Sequence, residues 1–539
     1  MPHFLKPYER SRISGEANTK LKKRKGEWRS HFFPTRKRQI LTSNLPKYMF
    51  FKGDHMINVK IWKDGMPKTV SVTPDKTLHK ILINQGIQIP HPCGGNGTCG
   101  KCVVSTSAGN KLSCQALAED GMEIYPQTSK ENMVILDTYE SCRSFEYDRG
   151  AGYGVAIDIG TTTIAFELID LKDGSRKATH SIANSQRSIG ADVVTRIKKA
   201  NEGALARLHS YIISDIKLGL AKFSDCNISA VSIAGNTTML HLLLNLSCET
   251  LGSFPFTPVE IDMKECKLSD VFGVGDDTTL YILPGISTFV GADISAGILC
   301  CHANKEKPSL LIDLGTNGEM ALFSSDKILV TSTAAGPAFE AGNISCGTAS
   351  IPGAIASIRY LPKDNVFMYE TISNEPPIGI CGTGVVEMVA QLVKNNLVDE
   401  TGRLDDSYFD SGIEIAPGIT FTQKDVREIQ LAKSALRSGV EILLDVAGYG
   451  YNDIDKVYLA GGFGHRINLD SAIDLGLIPH ELQEKIVTVG NTSLGGAAHV
   501  LTSTSAADNI KKIGKQAKEV NLSTHPKFND LFMEYMMFE

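Results

Sequence analysis

Four cysteines limit what this chain can fold into more than any other feature of its 539 residues. Three of them have C-x5-C-x2-C spacing within one glycine-rich stretch, and the fourth follows after eleven more residues. The four are Cys93, Cys99, Cys102 and Cys114. Because glycine lets the backbone wrap closely around a ligand, thiolates on such a loop suit a [2Fe-2S] cluster, which carries one electron at a time. The stretch is therefore predicted to be a redox site.

The main alternative for this loop is a structural zinc site, and a set of unrelated thiols is the other. Zinc sites usually present two closely spaced pairs of ligands, whereas here three cysteines crowd one loop. Residues 57–62 and 68–73 alternate apolar and polar side chains, and a short helical run follows at 78–85. Strand, strand, helix and cluster loop is the order found in β-grasp ferredoxins, and residues 56–126 resemble that family.

The composition is that of a soluble globular protein, with 42% hydrophobic and 21% charged residues. No run of about 18 uninterrupted apolar residues is present, so no membrane span is expected. The eight cysteines outside the loop form no disulfide framework, which predicts free thiols in a reducing cytoplasm. Cys300 and Cys301 are the candidates for a second redox site, but adjacent cysteines are poor disulfide partners.

The first 55 residues are strongly basic. Residues 1–50 contain 13 Lys and Arg against 3 Glu, a balance of +10, which by subtraction from the net −5 leaves −15 for the remainder. A nucleic-acid-binding arm and a targeting peptide are alternatives, but the segment lacks a secretory apolar region and is not free of acidic residues. We expect residues 1–55 to be a disordered extension without an assigned function, and we expect neither nucleic acid nor a membrane among the partners.

Two loops further along the chain share a pattern suited to phosphate binding. In each, an Asp closes an apolar strand, and a Gly-Thr pair opens a hairpin whose amides and hydroxyls can cradle phosphate oxygens. The first loop follows Asp158, and the second follows Asp313, 155 residues later. Either carboxylate can hold Mg2+ directly or through water. One such loop is weak evidence because many hairpins contain Asp-x-Gly-Thr, but two loops support each other.

A second element is duplicated in the same order. Residues 228–236 and 454–464 are apolar runs that each contain Ala-Gly at a strand-to-helix turn. Together the two pairs of motifs resemble the acetate kinase, sugar kinase, Hsp70 and actin superfamily. The resemblance implies an α/β, RNase H-type ATPase core of two related halves with ATP in the cleft between them. The predicted parts after the ferredoxin-like domain are a linker at 127–150, core halves at 151–307 and 308–505, and a C-terminal tail at 506–539.

The superfamily resemblance also implies roles for individual residues. Asp158 and Asp313 would position Mg2+ and water, and Glu319 would orient an attacking water, although an outward-pointing hairpin Glu is usually only solvated. A glycine-rich turn at 379–384 would line the cleft as a helix N-terminus, and a plain capping turn is the alternative. His465 is expected to be a surface or capping residue. The residues expected to contact the nucleotide are Gly160, Thr161, Thr162, Gly315, Thr316, Asn317, Gly318, Gly382, Gly384, Gly461 and Gly462.

A [2Fe-2S] ferredoxin domain in front of such a core resembles the reductive activators of corrinoid-dependent enzymes. The likeness runs from about residue 56 to the end of the chain. Residues 127–150 leave little room for the separate middle domain of longer members, which argues against dimerisation or docking through that domain. The strings that most resemble the family lie at 184–193, 335–347, 422–433 and 520–538.

The family resemblance implies a cytoplasmic, ATP-dependent activator that passes one electron from the [2Fe-2S] cluster to an inactive Co(II) corrinoid and restores Co(I). Expected partners are a corrinoid protein or corrinoid-dependent methyltransferase, an upstream low-potential electron donor, and a second copy of the chain in a homodimer. The main alternative is a small-molecule kinase with a redox-regulatory ferredoxin domain. A chaperone-like ATPase that docks to a methyltransferase is another. The last is an activator of 2-hydroxyacyl-CoA dehydratases, although that class carries a [4Fe-4S] cluster at a dimer interface.

Overall fold

The computed structural model describes residues 56–63, 66–85, 87, 89, 102–126, 139, 144–275, 277–301, 307–315, 317–464 and 466–538. Several features of the sequence lie outside these residues, namely the basic segment 1–55, Cys93, Cys99, Thr316 and His465.

The strands are β1 Ile57–Lys63, β2 Met66–Val72, β3 Val103–Thr106, β4 Gly109–Leu112, β5 Glu123–Tyr125, β6 Tyr153–Ile159, β7 Thr163–Asp170, β8 Arg176–Ala183, β9 Ile228–Gly235, β10 Lys264–Lys267, β11 Thr279–Ile282, β12 Ser309–Leu314, β13 Gly318–Phe323, β14 Ile328–Thr333, β15 Ala354–Leu361, β16 Val366–Thr371, β17 Gly379–Ile380, β18 Ile413–Ala416, β19 Ile419–Phe421, β20 Val457–Ala460, β21 Ile486–Gly490 and β22 Lys518–Glu519. The α-helices are α1 Leu78–Asn84, α2 Val193–Lys199, α3 Leu205–Leu220, α4 Thr237–Leu243, α5 Leu268–Phe272, α6 Ala292–Cys300, α7 Gly382–Lys394, α8 Gln423–Ala447, α9 Gly461–Gly464, α10 Leu469–Asp474, α11 Thr492–Thr502, α12 Thr504–Gln516 and α13 Phe528–Glu534.

The described part of residues 56–126 forms a five-stranded sheet with the order β2-β1-β5-β3-β4, together with helix α1. Strand β1 pairs antiparallel with β2 and parallel with β5. Helix α1 begins after Thr77, whose hydroxyl accepts a hydrogen bond from the Lys80 amide at 3.4 Å, and it buries Leu78 and Leu82 in the core of this unit. The predicted order of strand, strand and helix before the cluster loop is confirmed.

Two six-stranded sheets of the same construction form the larger part of the chain. Their strand orders are β10-β11-β9-β6-β7-β8 and β21-β20-β12-β13-β14-β22. In each sheet, three consecutive antiparallel strands are joined by a parallel strand from later in the chain, which is β9 beside β6 and β20 beside β12. Because these strands contain the duplicated motifs, the predicted core of two related halves is confirmed.

Helices α6 and α11 hold the two halves together. Helix α6 follows β11, contacts strands of both sheets and packs against α11, which follows β21. The packing depends on glycine, since a Cβ on Gly496 would lie 2.2 Å from the Ala296 carbonyl oxygen and one on Gly297 would lie 2.8 Å from the Leu311 side chain. One hydrophobic core therefore contains residues of both halves.

The second half has an additional helical layer. Helix α8, with 25 residues, begins at a capping box formed by Thr422 and Asp425 and ends at Gly448, whose φ of 77° is left-handed. The C-terminal tail lies on this helix, because Gln430 donates a side-chain hydrogen bond to the Met536 carbonyl oxygen. The tail also contributes a strand, β22, which pairs parallel with β14. The end of the chain is thus part of the packed second half.

Seven of the eight cysteines outside the cluster loop lie in the described residues. Of these, Cys226, Cys248, Cys266 and Cys381 are free thiols, as predicted. Cys300 and Cys301 are both buried at the end of α6. Among the helices of the described residues, none combines the length and the apolar character needed to cross a membrane.

Candidate functional site

The β3-β4 hairpin brings two of the predicted cluster ligands together. Cys102 precedes β3 and Cys114 follows β4, so the two thiols meet at the base of the hairpin with their sulfurs 3.1 Å apart. A disulfide bond would be about 2.05 Å long, so these are two separate thiols close enough to bind one iron. Both cysteine side chains are buried, and the side-chain amide of Gln115 donates a hydrogen bond to the Cys114 sulfur at 3.7 Å. The other two predicted ligands, Cys93 and Cys99, lie outside the described residues.

A cavity of about 2160 Å³ opens between the two halves of the core. Gly318 and Gly384 were predicted to contact nucleotide but do not border this cavity. A Cβ on Gly318 would instead meet the Leu436 side chain, and one on Gly384 would meet the Ile355 carbonyl oxygen. The predicted residues that do line the cavity are Asp158, Gly160, Thr161, Thr162, Asp313, Gly315, Asn317, Glu319, Gly382, Gly461 and Gly462.

Asp158 lies at the end of β6, and residues of the other half hold its carboxylate. Asn491 donates a side-chain hydrogen bond to one carboxylate oxygen at 2.9 Å, and the Ser493 hydroxyl donates to the other at 2.7 Å. Asn491 also caps helix α11, since its side-chain oxygen accepts from the Leu494 amide at 2.9 Å. Burial raises the pKa of Asp158, and the two hydrogen bonds oppose that shift. The first phosphate loop is therefore fastened to the second half.

Asp313 and Glu319 are direct cross-strand partners in the β12-β13 hairpin. Opposed residues in an antiparallel pair point to the same face, so both carboxylates enter the cavity. Glu319, predicted to orient an attacking water, lines the cavity, which disfavours the alternative of a merely solvated hairpin residue. On the other side, a Cβ on Gly461 would lie 2.5 Å from an Asp313 carboxylate oxygen, and the φ of Gly461 is +84°. Glycine is thus needed where the second Ala-Gly turn approaches Asp313.

A fourth carboxylate, Asp293, belongs to this cluster and was not identified from the sequence. It lies in the first turn of α6, after Gly291, whose Cβ would fall 2.4 Å from the Asn236 Cα atom. In the second half the corresponding turn, between β21 and α11, provides Asn491 and Ser493. Comparing the two halves strand by strand would have pointed to this turn, but no local motif marks it.

Burial, together with neighbouring carboxylates, raises the pKa values of three of these four groups. Burial and the Asp158 carboxylate raise the pKa of Asp293 to about 7. Burial, followed by Asp293 and Asp158, raises the pKa of Asp313 to about 7, and the same effects raise the pKa of Glu319 well above its ordinary value. Such a concentration of acidic groups fits a cation. Among the described residues, no three such side chains converge closely enough to hold a metal ion directly, so a cation here would keep water ligands, as Mg2+ commonly does.

The first phosphate loop rests on a buried cation. The Arg196 guanidinium donates hydrogen bonds to the Thr161 carbonyl oxygen, to the Gly190 carbonyl oxygen at 2.9 Å and to the Gln186 side-chain oxygen at 3.2 Å. Arg196 is fully buried, and no described carboxylate lies within ion-pair distance of it. Burial lowers the pKa of Arg196 to about 9. An anion bound at the loop would stabilise this charge. The sequence alone did not identify Arg196 as part of the site.

These features define a protein with a [2Fe-2S] ferredoxin domain and a two-lobed core of the acetate kinase, sugar kinase, Hsp70 and actin type. Family models match almost all of the described chain. The 2Fe-2S iron-sulfur cluster binding domain matches residues 62–126, the RACo middle region matches 153–306, and the C-terminal ASKHA domain of RACo matches 307–539. The chain therefore belongs to the RACo family, the reductive activators of corrinoid proteins. The middle-region model matches the first half of the core, not the short stretch at 127–150 where the sequence left little room for a middle domain.

Individual relatives agree with this assignment. The corrinoid activation enzyme RamQ of Eubacterium limosum is 27% identical over 583 residues, covering 88% of this chain and 98% of the relative. The Co(II) methylated amine-specific corrinoid protein reductase of Methanosarcina barkeri is 29% identical over 417 residues, covering 71% of this chain and 76% of the relative. A solved reductive activator for a corrinoid, iron-sulfur protein superposes with a TM-score of 0.64 at 25% identity, covering 89% of this chain and 98% of that structure.

Proposed function

We propose that this chain uses ATP to drive one electron from a [2Fe-2S] cluster to the Co(II) corrinoid of a methyltransferase system and so restores Co(I). Reductive activation of corrinoid proteins follows from the family. The observation that supports ATP dependence is the cavity between the two halves, which is lined by both predicted phosphate loops and by the cluster of Asp158, Asp293, Asp313 and Glu319. The cluster would be held by Cys93, Cys99, Cys102 and Cys114.

The need for ATP follows from redox chemistry. A plant-type [2Fe-2S] centre has a potential near −400 mV, and reduction of Co(II) to Co(I) requires a lower potential. For one electron, each shortfall of about 59 mV lowers the equilibrium constant tenfold. ATP can offset the shortfall only if its bound states favour the activator–Co(I) complex over the activator–Co(II) complex. The nucleotide-binding core must therefore contact, or change, the surface that holds the corrinoid protein.

Within the cavity, we assign Asp158 and Asp313 to a hydrated Mg2+ ion, with Asp293 as a third acidic neighbour. Glu319 would accept a proton from an attacking water, because burial and the surrounding carboxylates raise its pKa and so make its ionised form a stronger base. The hydroxyls and amides of both hairpin loops would hold the phosphates, and the turn at Gly461 would approach the adenosine. Each of these roles can be tested by substitution.

The partners and assembly beyond the corrinoid protein are also proposals. An upstream low-potential protein would load the cluster, since the cluster accepts one electron at a time. A cytoplasmic location agrees with the free thiols found in the described residues. A homodimer is proposed from the family resemblance alone. Analytical ultracentrifugation of the purified protein would test the dimer directly.

The function is tested by mixing the purified protein, a Co(II) corrinoid protein and a strong chemical reductant, with and without Mg-ATP. Growth of the Co(I) absorption band only in the presence of Mg-ATP is the expected result. Equal growth of the Co(I) absorption band without Mg-ATP, with the cluster intact, would refute the proposal. A small-molecule kinase would instead form ADP together with a phosphorylated acceptor, and it would need no corrinoid protein.

A further inference from the structure

Among the described residues of the predicted linker, Tyr139 packs into the ATPase core. Its ring lies against the Arg176 guanidinium of β8, at 3.7 Å from the guanidinium carbon to the ring centroid. Arg176 also donates a hydrogen bond to the Tyr139 carbonyl oxygen at 2.7 Å. On the opposite side the ring touches helix α11, where a Cβ on Gly495 would lie 2.7 Å from a ring carbon. A tyrosine thus fills a space that a glycine leaves open.

The hydroxyl end of Tyr139 reaches a buried acidic residue. Glu167 on β7 is fully buried and forms an ion pair with Arg176 at 2.9 Å. Burial and the Glu167 carboxylate raise the pKa of the Tyr139 hydroxyl well above its ordinary value, so the hydroxyl stays protonated beside that carboxylate. Stacking, a backbone hydrogen bond and a buried acceptor together specify tyrosine at this position.

The same residue is connected to the candidate nucleotide site. The Tyr139 backbone forms an antiparallel bridge with Gly490, the last residue of β21. The next residue, Asn491, donates to the Asp158 carboxylate, and Ser493 does so one turn later. A change of ligand at Asp158 that shifts Asn491 would therefore also shift Gly490, which is one peptide unit away. Gly490 is the residue that pairs with the Tyr139 backbone.

Other described residues of the linker contact helices α11 and α12 and strand β11. The Phe145 ring lies 4.9 Å from the His499 ring of α11, and the Asp148 carboxylate accepts from the Thr504 amide at the start of α12 at 2.7 Å. Arg149 donates to the Tyr281 hydroxyl at 2.8 Å. Of the described linker residues, Tyr139 is the nearest in sequence to the ferredoxin-like domain.

We propose that Tyr139 is a positioning residue that couples the state of the nucleotide site to delivery of the electron. It fixes the point on the core at which the linker to the cluster domain is attached. Its position depends on the ligand at Asp158 through Gly490 and Asn491. The proposal rests on the proposed function, because it concerns how ATP promotes cobalt reduction. It assigns Tyr139 no contact with ATP or with the corrinoid.

The test compares Tyr139→Ala with Tyr147→Ala, a matched control. Tyr147 is an exposed tyrosine of the same segment that packs beside Gly174, away from α11. Three quantities are measured for each variant: the rate of Co(I) formation with and without Mg-ATP, the rate of ATP hydrolysis, and the cluster spectrum. We expect Tyr139→Ala to lower the ratio of rates with and without ATP about tenfold, a usual size for coupling between two sites. ATP hydrolysis and the cluster spectrum should stay at wild-type levels, and Tyr147→Ala should retain the wild-type ratio.

An unchanged ratio in Tyr139→Ala would overturn the proposal. A parallel fall in ATP hydrolysis would also overturn it, because Tyr139 would then only support the nucleotide site. If Tyr139→Ala does not fold, Tyr139→Leu keeps the apolar bulk without the stacking on Arg176, and the same criteria apply to it. Absence of ATP-dependent Co(I) formation in the wild type would instead count against the proposed function, and the inference would fall with it.

Discussion

Replacing Asp293 with asparagine should stabilise the metal-free protein at pH 8 while abolishing its ATP-dependent activity. The pKa of Asp293 is raised from 3.8 to about 7 in the folded protein, so the folded state holds a proton more tightly than the unfolded state does. Stability contributed by this group is greatest below the ordinary pKa of the carboxyl and is lost as the pH rises through 7. Above pH 7 the ionised carboxylate disfavours the folded state, and a neutral asparagine removes that effect.

The size of the effect follows from the shift. A change of one pKa unit corresponds to about 1.36 kcal/mol, so a shift of roughly three units sets an upper limit near 4 kcal/mol. Because Asp293 borders the cavity, solvent screens part of the repulsion, and we expect a gain of about 2 kcal/mol at pH 8 and almost none at pH 4. A stabilising substitution that destroys activity is typical of a functional site.

The assay is chemical denaturation in EDTA at several pH values, together with ATP hydrolysis in Mg2+. The exposed Asp364→Asn is the matched control and should change neither quantity. A loss of stability at pH 8 in Asp293→Asn, or unchanged ATP hydrolysis, would refute the assignment of Asp293 to an acidic cation site. Equal gains at pH 4 and pH 8 would show that the effect is not electrostatic.

Three further substitutions test other parts of the account. Arg196→Met should raise the KM for ATP about tenfold, because a buried charge beneath the phosphate loop is lost; an unchanged KM with a lower kcat would contradict this. Gly461→Ala should reduce ATP hydrolysis and cost about 1–3 kcal/mol of stability, because its φ is +84° and the added methyl would lie 2.5 Å from Asp313; wild-type turnover would show that the turn tolerates a side chain. Cys102→Ser should abolish the visible spectrum of the cluster while Cys226→Ser retains it. A zinc site would be indicated if the Cys226→Ser protein had no visible spectrum but bound zinc, and the Cys102→Ser protein did not bind zinc.

The parts of the fold that could be predicted from the sequence are those that depend on local sequence patterns. The two Asp-x-Gly-Thr hairpins and the two Ala-Gly turns are each contained in short stretches, and their repetition indicated two related halves. The same holds for the grouping of Cys102 with Cys114, which was predicted from the cysteine spacing and which the β3-β4 hairpin brings together. In each case neighbours in sequence are also neighbours in space, so residue type and spacing were enough.

The parts that were not predicted depend on contacts between distant segments. Asn491 reaches Asp158 across 333 positions, and only the packing of α6 against α11 brings them together. Asp293 lies in an ordinary helix start and becomes a cavity residue through the strand order of the first sheet. Glu319 was predicted as a site residue, but its position opposite Asp313 became evident only from the strand register. Tyr139 lies in a segment whose composition indicated only a linker.

The central claim is most directly tested by a single-turnover experiment without external reductant. The cluster is reduced, excess reductant is removed, and the protein is mixed with a Co(II) corrinoid protein in the presence or absence of Mg-ATP. Electron paramagnetic resonance then follows loss of the reduced cluster, and absorption follows Co(I). The account predicts about one Co(I) formed per cluster oxidised, and only when Mg-ATP is present. Formation of Co(I) to the same extent without ATP, or ATP consumption without oxidation of the cluster, would contradict it.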